Sequence, residues 1–378
     1  MDTSKTESQI TALAFITKVI FAVSSGCILG GMLYITTLTH YTRQAYNYLS
    51  GITVAFIGYF IILTILKRLN QPYHLWILVG LAILCRVVLW VDSPTLSTDV
   101  WRYIWDGRLI NTGINPYMYR VDAPELDHLR TPLSAKIEHT HMATPYPPAA
   151  QIIFSSIVAI SSENPLAMQI AFTAFDLGNG LLIALLLKQL KRPARQSLLY
   201  LLNPLIIVEF AHGAHIDAAM TFFVLLALLT YAQQQKSLSS IGLAGAVLIK
   251  YIPLLLVPVF LRYWKWRATL VFGLVVLLGF LPFLNAGLGV GAQDDGSGIL
   301  GAVRIYTNSW KTNDGVFYWL TEQLKPYTNN PTRTARNITT LILLMLGGYV
   351  WLRSSAMLKL ARAIEHSTML ISTYLLLS

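Results

Sequence analysis

The sequence predicts an all-α protein that crosses a membrane many times. Of its 378 residues, 54% are hydrophobic and only 12% are charged, whereas a soluble domain carries roughly 25% charged residues. The hydrophobic residues form continuous runs near the length of about 20 residues that spans a bilayer as a helix. Strands of a membrane barrel would instead alternate hydrophobic and polar residues. We therefore expect a polytopic transmembrane helical protein with about 9 to 11 membrane segments, forming a single integral membrane domain over residues 1–378.

The hydrophobic runs place most of these segments. The predicted spans are Ala12–Leu38, Gly51–Leu66, Leu75–Val91, Leu166–Leu187, Ser197–Ala211, Ala218–Gln233, Ala268–Leu284 and Ile338–Leu352. The run Ala149–Ile160 has about 12 residues, which is too short to span, so we predict a re-entrant or interfacial helix there. Leu238–Leu261 is interrupted at Lys250 and Pro253, which predicts a broken hairpin or one kinked span.

Basic residues predict the orientation of the chain. Short loops rich in lysine and arginine face the cytoplasm in most membrane proteins. Such loops are Lys67–Arg68, Lys188–Arg195, Arg262–Arg267 and Arg353–Arg362. These clusters also explain the net charge of +10, so we expect membrane lipid, and no nucleic acid, as a partner. The external loops are then residues 92–149 and 285–333, with His212–Asp217 on the same face.

The loop 92–149 is the strongest candidate for a catalytic loop. Seven of the chain's 18 acidic residues lie in it: Asp92, Asp99, Asp106, Asp122, Glu125, Asp127 and Glu138. Helical spacing over Thr98–Leu109 places one polar set and one apolar set on opposite faces. The polar set is Asp99, Arg102, Tyr103 and Asp106, and the apolar set is Trp101, Ile104, Trp105 and Leu109. This pattern predicts an amphipathic helix on the membrane surface. Such a helix could merely anchor a loop, but an exposed aspartate also suits a general base that accepts a proton from a hydroxyl.

Three other stretches carry candidate binding residues. Tyrosines stack on sugars and form hydrogen bonds at interfaces, so Tyr117, beside the turn at Asn115, and Tyr146, in the turn Thr144–Pro148, are predicted to contact an acceptor. In the second external loop, Trp310, Lys311 and Asp314 form a polar cluster. Lys250 lies within an apolar run, where a charge faces a cavity or an anion such as phosphate, unless its side chain snorkels to the interface.

The stretch HGAHID contains His212, His215 and Asp217. These residues offer only three metal ligands at imperfect spacing. Hydrogen bonding to a polar or phosphate ligand is favoured over a metal site, and capping with packing is the alternative. We expect no metal and no cofactor.

The order of these motifs resembles a known group of enzymes. TDVWRYIWDGR (98–108), GINPY (113–117), TPYPP (144–148), LNPLIIVEFAHGAHIDA and LIKYIPLLLVP occur in succession. This succession resembles the GT-C superfamily of membrane glycosyltransferases, and most of all its bacterial polyprenol-phosphate-mannose-dependent mannosyltransferase branch. The resemblance covers roughly residues 89–261.

The resemblance implies a reaction and roles for individual residues. Such enzymes take a sugar, here mannose or another hexose or pentose, from a polyprenyl-phosphate-linked donor. They transfer it with inversion to a glycan, lipid or protein acceptor on the non-cytoplasmic face of the bacterial inner (plasma) membrane. Asp99 matches the general base, with Asp106 as the second candidate. By this match Lys250 and Tyr251 hold the donor phosphate, with Arg102 and Arg108 as further candidates. From the residues themselves we add His212 and His215 to the phosphate side. We predict an acceptor or sugar side that comprises Tyr103, Asn115, Tyr117, Tyr146, Asp217, Trp310, Lys311 and Asp314.

A membrane transporter or flippase is the alternative function. In that case Lys250 and Asp176 would be the coupling charges. Transporters are commonly built from paired repeats with broken helices in both halves, and the sequence shows no matching segments. An acid-rich external loop is also unnecessary for transport, so the glycosyltransferase is the preferred prediction.

Overall fold

The protein is helical in all of its described regular elements. The structure, a computed structural model, describes residues 3–39, 43–69, 72–90, 96–289, 296–309, 315–354 and 359–377. The helices are α1 Thr3–Thr36, α2 Ala45–Ile65, α3 Pro72–Val88, α4 Asp99–Asn111, α5 Pro148–Ser161, α6 Pro165–Gln189, α7 Leu198–Leu201, α8 Pro204–Ile207, α9 Asp217–Ala232, α10 Lys236–Ile249, α11 Val257–Phe280, α12 Gly301–Ser309, α13 Val316–Leu324, α14 Pro331–Arg353 and α15 Leu360–Leu377. Short 3-10 or π turns lie at Pro124–Leu129, Ser134–Lys136, Ala194–Ser197, Val208–His212, Ile252–Leu256 and Leu281–Ala286. The all-α prediction is confirmed.

Several helices have the length and composition of membrane spans. Among the described residues, 5 helical stretches qualify: Phe15–Thr36, Ala45–Ile65, Pro165–Gln189, Ile252–Ala286 and Pro331–Arg353. A bent pair, Pro204–His212 with Asp217–Ala232, would raise the number to 6. Shorter apolar helices occupy Tyr73–Val88, Pro148–Ser161 and Lys236–Ile249. Fewer helices therefore qualify as complete spans than the number of membrane segments predicted from the sequence, because several apolar runs fold as short or bent helices.

The predicted break near Lys250 is confirmed, and a second one follows it. α10 ends at Ile249, and Lys250 has an extended backbone, with φ −151° and ψ 144°. Lys265, inside α11, has φ 58° and ψ −176°, so the 35-residue stretch Ile252–Ala286 is not one straight helix. The backbone is thus non-helical at Lys250 and again at Lys265, within the basic segment Arg262–Arg267.

The chain folds into two compact units. Unit 1 comprises Met1–Ile104 with Ile160–Ala218, and unit 2 comprises Trp105–Ala159 with Ala219–Ser378. The division falls within α4. In unit 1, α1 and α2 approach closely through glycine: a Cβ added to Gly58 would lie 2.4 Å from the Ser24 carbonyl oxygen, and one added to Gly31 would lie 2.6 Å from the Gly51 oxygen. Small residues allow helices to pack closely in a membrane in this way.

A buried ionic network lies in the core of unit 1. The Arg86 Nε atom pairs with the Asp176 carboxylate, and both side chains are 0% exposed. The Tyr200 hydroxyl donates to Asp176 Oδ1 at 2.7 Å, and Asn179 Nδ2 donates to the Tyr200 hydroxyl at 3.1 Å and to the Ala218 carbonyl at 3.0 Å. These contacts join α3, α6 and α7. Asp176 therefore has a structural role in the core of unit 1. The transporter alternative would instead have made it a coupling charge.

In unit 2, glycine brings α4 and α5 together. A Cβ on Gly107 would lie 2.6 Å from the carbonyl oxygen of Phe154. A larger residue would push the two helices apart. Gly107 therefore fixes the position of its neighbour Asp106 against α5, where the second polar network of the molecule begins.

Candidate functional site

The prediction of helix α4 is confirmed, but the predicted surface location is wrong. The face of α4 that was predicted to be polar and exposed is buried almost as fully as the apolar face: Arg102 is 7% exposed, Tyr103 is 1% exposed and Asp106 is 0% exposed. The Tyr103 ring lies edge-on to Phe172, with centroids 5.9 Å apart. Amphipathic spacing alone cannot separate a surface helix from one that other segments cover on both faces. Of the four polar residues, Asp99 is the exposed one.

Asp106 lies at the centre of a buried hydrogen-bond network in unit 2. Its Oδ2 atom accepts hydrogen bonds from the Thr144 hydroxyl and from Gln151 Nε2, the latter at 3.2 Å. Gln151 Nε2 also lies 2.8 Å from Thr144 Oγ1 and 3.2 Å from the Tyr146 carbonyl oxygen. The TPYPP turn and the start of α5 thus supply the donors. We define Asp106, Thr144, Tyr146, Gln151 and Tyr117 as the Asp106 network.

Tyr117 is buried and hydrogen-bonded within the same network. Its side chain is 0% exposed, and its hydroxyl donates to the Tyr146 carbonyl oxygen at 2.7 Å. Burial raises the pKa of Tyr117 well above its usual range, and the nearby Tyr251 and Asp106 raise it further. The phenol therefore stays protonated and remains a hydrogen-bond donor. Asn115 Nδ2 donates to the Phe283 carbonyl at 3.2 Å, and Asn115 Oδ1 accepts from Tyr117 N at 3.0 Å.

A second group of polar side chains lies in unit 1, after the π turn. His215 Nδ1 lies 2.7 Å from Glu209 Oε2. Burial by itself would lower the pKa of His215, but its hydrogen bond with Glu209 and the charges of Glu209, Asp99 and Asp217 together raise the pKa above the usual value. Of the predicted residues, Asp99 and Asp217 therefore lie within electrostatic range of His215. We define these three residues and Glu209 as the acid–imidazole cluster.

His212 does not share this position. It is 1% exposed, and its carbonyl oxygen accepts a hydrogen bond from Gln169 Nε2 at 3.1 Å. The π turn thus separates the two histidines of the HGAHID stretch, one into the core and one toward the partly exposed cluster. Throughout the described ranges, no group of three or more His, Cys, Asp or Glu side chains is arranged to hold a metal ion.

The predicted phosphate residues of unit 2 lie at the break before α11. Lys250 is half-buried, and its backbone N–H donates to the Ala246 carbonyl at 3.0 Å. The buried hydroxyl of Tyr251 has no hydrogen-bond partner in the described part of the chain. Arg108, on the second half of α4, is half-buried. Trp310, Lys311 and Asp314 lie outside the described residues.

A cavity of about 810 Å³ occurs in unit 2. It is lined by Leu261, Arg262, Lys265, Trp266, Thr269, Leu270 and Trp351. None of these was predicted as a site residue. Because its lining contains no carboxylate, we take the acid–imidazole cluster of unit 1 and the Asp106 network of unit 2, each by itself, as candidate sites.

Three residues of these clusters were not predicted from the sequence: Glu209, Thr144 and Gln151. Glu209 offered a signal, because a lone carboxylate inside the apolar run before HGAHID is costly unless it has a partner. Thr144 and Gln151 offered none, because a threonine in a turn and a glutamine at a helix start are ordinary there. Their role depends on Asp106, 38 and 45 residues away in the chain.

Comparison with known proteins identifies the family. A family model described as MptA_B family, alpha-(1->6)-mannopyranosyltransferase, N-terminal domain, matches residues 16–266, which is more than half of the chain. The matched segment contains α4, the acid–imidazole cluster, the Asp106 network and Lys250. No curated protein and no solved structure is significantly similar to the chain. The protein belongs to the MptA_B family of mannosyltransferases.

Proposed function

We propose that the protein transfers mannose from a polyprenyl-phosphate-linked donor to a hydroxyl of a glycan acceptor, with Asp99 as general base. Membership of a mannosyltransferase family implies a sugar donor and a glycan acceptor. The observation that carries the proposal is the position of Asp99: its carboxylate is exposed at the start of α4, and its charge acts on His215. An accessible carboxylate in a polar cluster suits proton transfer from an acceptor hydroxyl.

The proposed step is a single displacement at the anomeric carbon of mannose. The acceptor oxygen forms a bond to C1 while the bond from C1 to the phosphate oxygen breaks. The proton of the acceptor hydroxyl passes to the Asp99 carboxylate, and the polyprenyl phosphate leaves with the bonding electrons. Attack from the face opposite the phosphate inverts the centre, so a β-linked donor yields an α-mannoside. This outcome agrees with the linkage in the family's description.

The two aspartates of α4 receive different roles in this proposal. Asp106 is fully buried, and its Oδ2 atom already accepts two hydrogen bonds, so we assign it to holding the TPYPP turn and α5 against α4. Asn115 and Tyr117 use their polar atoms to hold the same loop. Tyr146 and Asp217 remain the proposed sugar contacts of the described residues, together with the acceptor cluster Trp310, Lys311 and Asp314.

For the donor phosphate we propose Lys250, with Tyr251, Arg102, Arg108, His212 and His215 as the further candidates. Lys250→Met should raise the KM for the lipid-linked donor by about 10- to 100-fold, because a hydrogen bond to a charged group contributes about 1.5–3 kcal/mol. Lys188→Met, which removes an exposed lysine of α6, is the matched control. An unchanged donor KM in Lys250→Met would contradict this role.

The experiment that tests the function uses the purified protein in nanodiscs. It compares decaprenyl-phosphoryl-[14C]mannose with GDP-[14C]mannose, with an α-mannoside as acceptor, and determines the product linkage by NMR. We expect transfer from the lipid-linked donor and an α-linked product. Transfer from GDP-mannose alone would overturn the donor assignment. In sealed membrane vesicles, an impermeant acceptor should be modified only when the non-cytoplasmic face is outside, as expected for an enzyme of the bacterial plasma membrane.

A further inference from the structure

The cavity of unit 2 is positively charged. Arg262 and Lys265 of α11 line it, and its lining contains no carboxylate. In the described part of the chain, neither of these side chains forms an ion pair. Two cations without an acid attract an anion. The other walls include the tryptophans Trp266 and Trp351 and two leucines, so the anion that fits should also carry apolar groups.

Arg262 is held in place by the end of α14. Its Nη1 atom donates to the carbonyl oxygens of Leu352 at 3.1 Å and Ser354 at 3.0 Å, and its guanidinium carbon lies 5.0 Å from the centre of the Trp351 ring. Basic side chains commonly bind the last carbonyls of a helix in this way. Among the described residues, Nη1 is the only guanidinium nitrogen with a hydrogen-bond partner. Nε and Nη2, which form the other edge of the group, can therefore donate to the two oxygens of a phosphate.

Lys265 adopts a backbone conformation that normally requires glycine. Its φ is 58° and its ψ is −176°, a combination that is essentially restricted to glycine because a Cβ is strained there. The Thr269 hydroxyl donates to the Lys265 carbonyl oxygen at 2.8 Å and holds the turn that follows the break. The lysine side chain is thus present despite a conformational cost that glycine would avoid. Backbone strain of this kind is concentrated at functional positions.

The surroundings of the cavity have the composition of a membrane interface. Trp266 is 67% exposed, and tryptophan is enriched where lipid headgroups meet the hydrocarbon core. Leu270, one turn further along α11, is 62% exposed, and the exposed leucines Leu274 and Leu277 continue the same face. We therefore expect the apolar part of α11 to enter the bilayer from the cavity, which places the two cations at the level of lipid phosphates.

We propose that the cavity binds an anionic membrane phospholipid, whose phosphate accepts hydrogen bonds from Arg262 and Lys265. Trp266 and Trp351 flank the headgroup, and an acyl chain lies along Leu270 and the exposed leucines after it. Basic pockets between membrane helices bind anionic lipid headgroups in this manner. The basic segment that contains the two cations is predicted to face the cytoplasm, opposite the face proposed for sugar transfer. This lipid is therefore distinct from the mannose donor, and the inference does not depend on the proposed function.

The test is lipid binding by the purified full-length protein, measured by native mass spectrometry. Dioleoylphosphatidylglycerol is titrated into delipidated protein in detergent, with dioleoylphosphatidylcholine and inorganic phosphate as comparison ligands. We expect phosphatidylglycerol to bind about 10-fold more tightly than either. The choline headgroup neutralises its own phosphate, and inorganic phosphate has no chain to place against the leucines. Equal binding of phosphatidylcholine would overturn the selection for an anion, and equal binding of inorganic phosphate would overturn the assignment to a lipid.

Two substitutions at Lys265 separate lipid binding from folding. Lys265→Gln removes the charge, and Lys265→Gly also removes the backbone strain, so Lys265→Gly should unfold at no lower temperature than the wild type. We expect both variants to bind phosphatidylglycerol about 10- to 100-fold more weakly, because a hydrogen bond to a charged group is lost. Lys188→Gln, which removes an exposed lysine of α6 predicted to face the same side of the membrane, is the matched control. Wild-type affinity in both Lys265 variants, or an equal loss in Lys188→Gln, would overturn the inference.

Discussion

The two aspartates of α4 make an instructive comparison. They lie two helical turns apart on one face, with about 10 Å between them along the axis. Asp99 is exposed and belongs to a cluster that combines carboxylates with an imidazole. Asp106 is 0% exposed, and the hydroxyl of Thr144 and the amide of Gln151 donate to it. Two residues that periodicity treats as equivalent therefore have different chemistry, and the difference comes from segments distant in sequence.

The role of each carboxylate thus depends on its exposure to solvent and on the hydrogen bonds that its oxygens already accept. A buried group that already accepts hydrogen bonds stabilises the fold, and its loss leaves donors unpaired. An exposed carboxylate contributes little to stability, because water screens it, but it can reach a substrate. Substitutions that separate activity from stability test this distinction.

The largest expected effect is that of Asp99→Asn on transfer. We expect kcat to fall about 10²- to 10⁴-fold, because asparagine cannot accept the proton of the acceptor hydroxyl. The thermal unfolding midpoint in detergent should stay close to that of the wild type, since the side chain is exposed. Both quantities are measured on the same purified sample. A near wild-type kcat would remove the distinction between the two aspartates.

The second effect is that of Asp106→Asn on stability. Asparagine keeps one oxygen that can accept from Thr144 and Gln151, but a neutral amide is a weaker acceptor than a carboxylate: a hydrogen bond contributes about 0.5–1.5 kcal/mol between neutral groups and about 1.5–3 kcal/mol when one group is charged. We expect a lower unfolding midpoint, with a smaller loss of kcat than in Asp99→Asn at a temperature where the variant is folded. Asp127→Asn, which removes a carboxylate that is 63% exposed, is the control. If Asp106→Asn has the same unfolding midpoint as Asp127→Asn but loses all transferase activity, Asp106 is the better candidate for the base.

The smallest effect compares two tyrosines within unit 2. Tyr117→Phe removes the hydrogen bond to the Tyr146 carbonyl and should destabilise the protein by about 0.5–1.5 kcal/mol. Tyr251→Phe should be nearly neutral, because its hydroxyl has no partner among the described residues. Denaturant unfolding followed by tryptophan fluorescence measures both. Equal losses in the two variants would show that the Asp106 network does not extend through Tyr117.

Local sequence patterns predicted the elements that depend on local spacing. The i, i+3, i+4 and i+7 pattern located α4 within a few residues of its observed bounds, Asp99–Asn111. Lys250 and Pro253, in an apolar run, located the break after α10, since a charge and a missing N–H both disfavour a continuous span. The sequence also predicted that Asp99, His215 and Asp217 share one face of the membrane, and the charges of Asp99 and Asp217 do act on His215.

Long-range contacts could not be predicted from the same patterns. α4 looked like a surface helix because nothing near it in sequence shows that Thr144 and Gln151 cover Asp106. The partner of Asp176 lies 90 residues away, at Arg86, and single charges in two apolar runs do not reveal that they pair. Glu209 is different, since it lies near His215 in sequence and only its significance was missed.

The turn that carries His215 has a consequence for how the site meets its ligands. Ala214 lies in the left-handed region with φ 53°, where an alanine costs roughly 1–2 kcal/mol, while Gly213 beside it has φ −68°, a value open to any residue. A glycine at 214 would relieve the strain, but it would also give the loop more conformations to lose. The turn is therefore more rigid with Ala214 than it would be with glycine. The conformational entropy of the imidazole is lost once, during folding, rather than at each catalytic cycle.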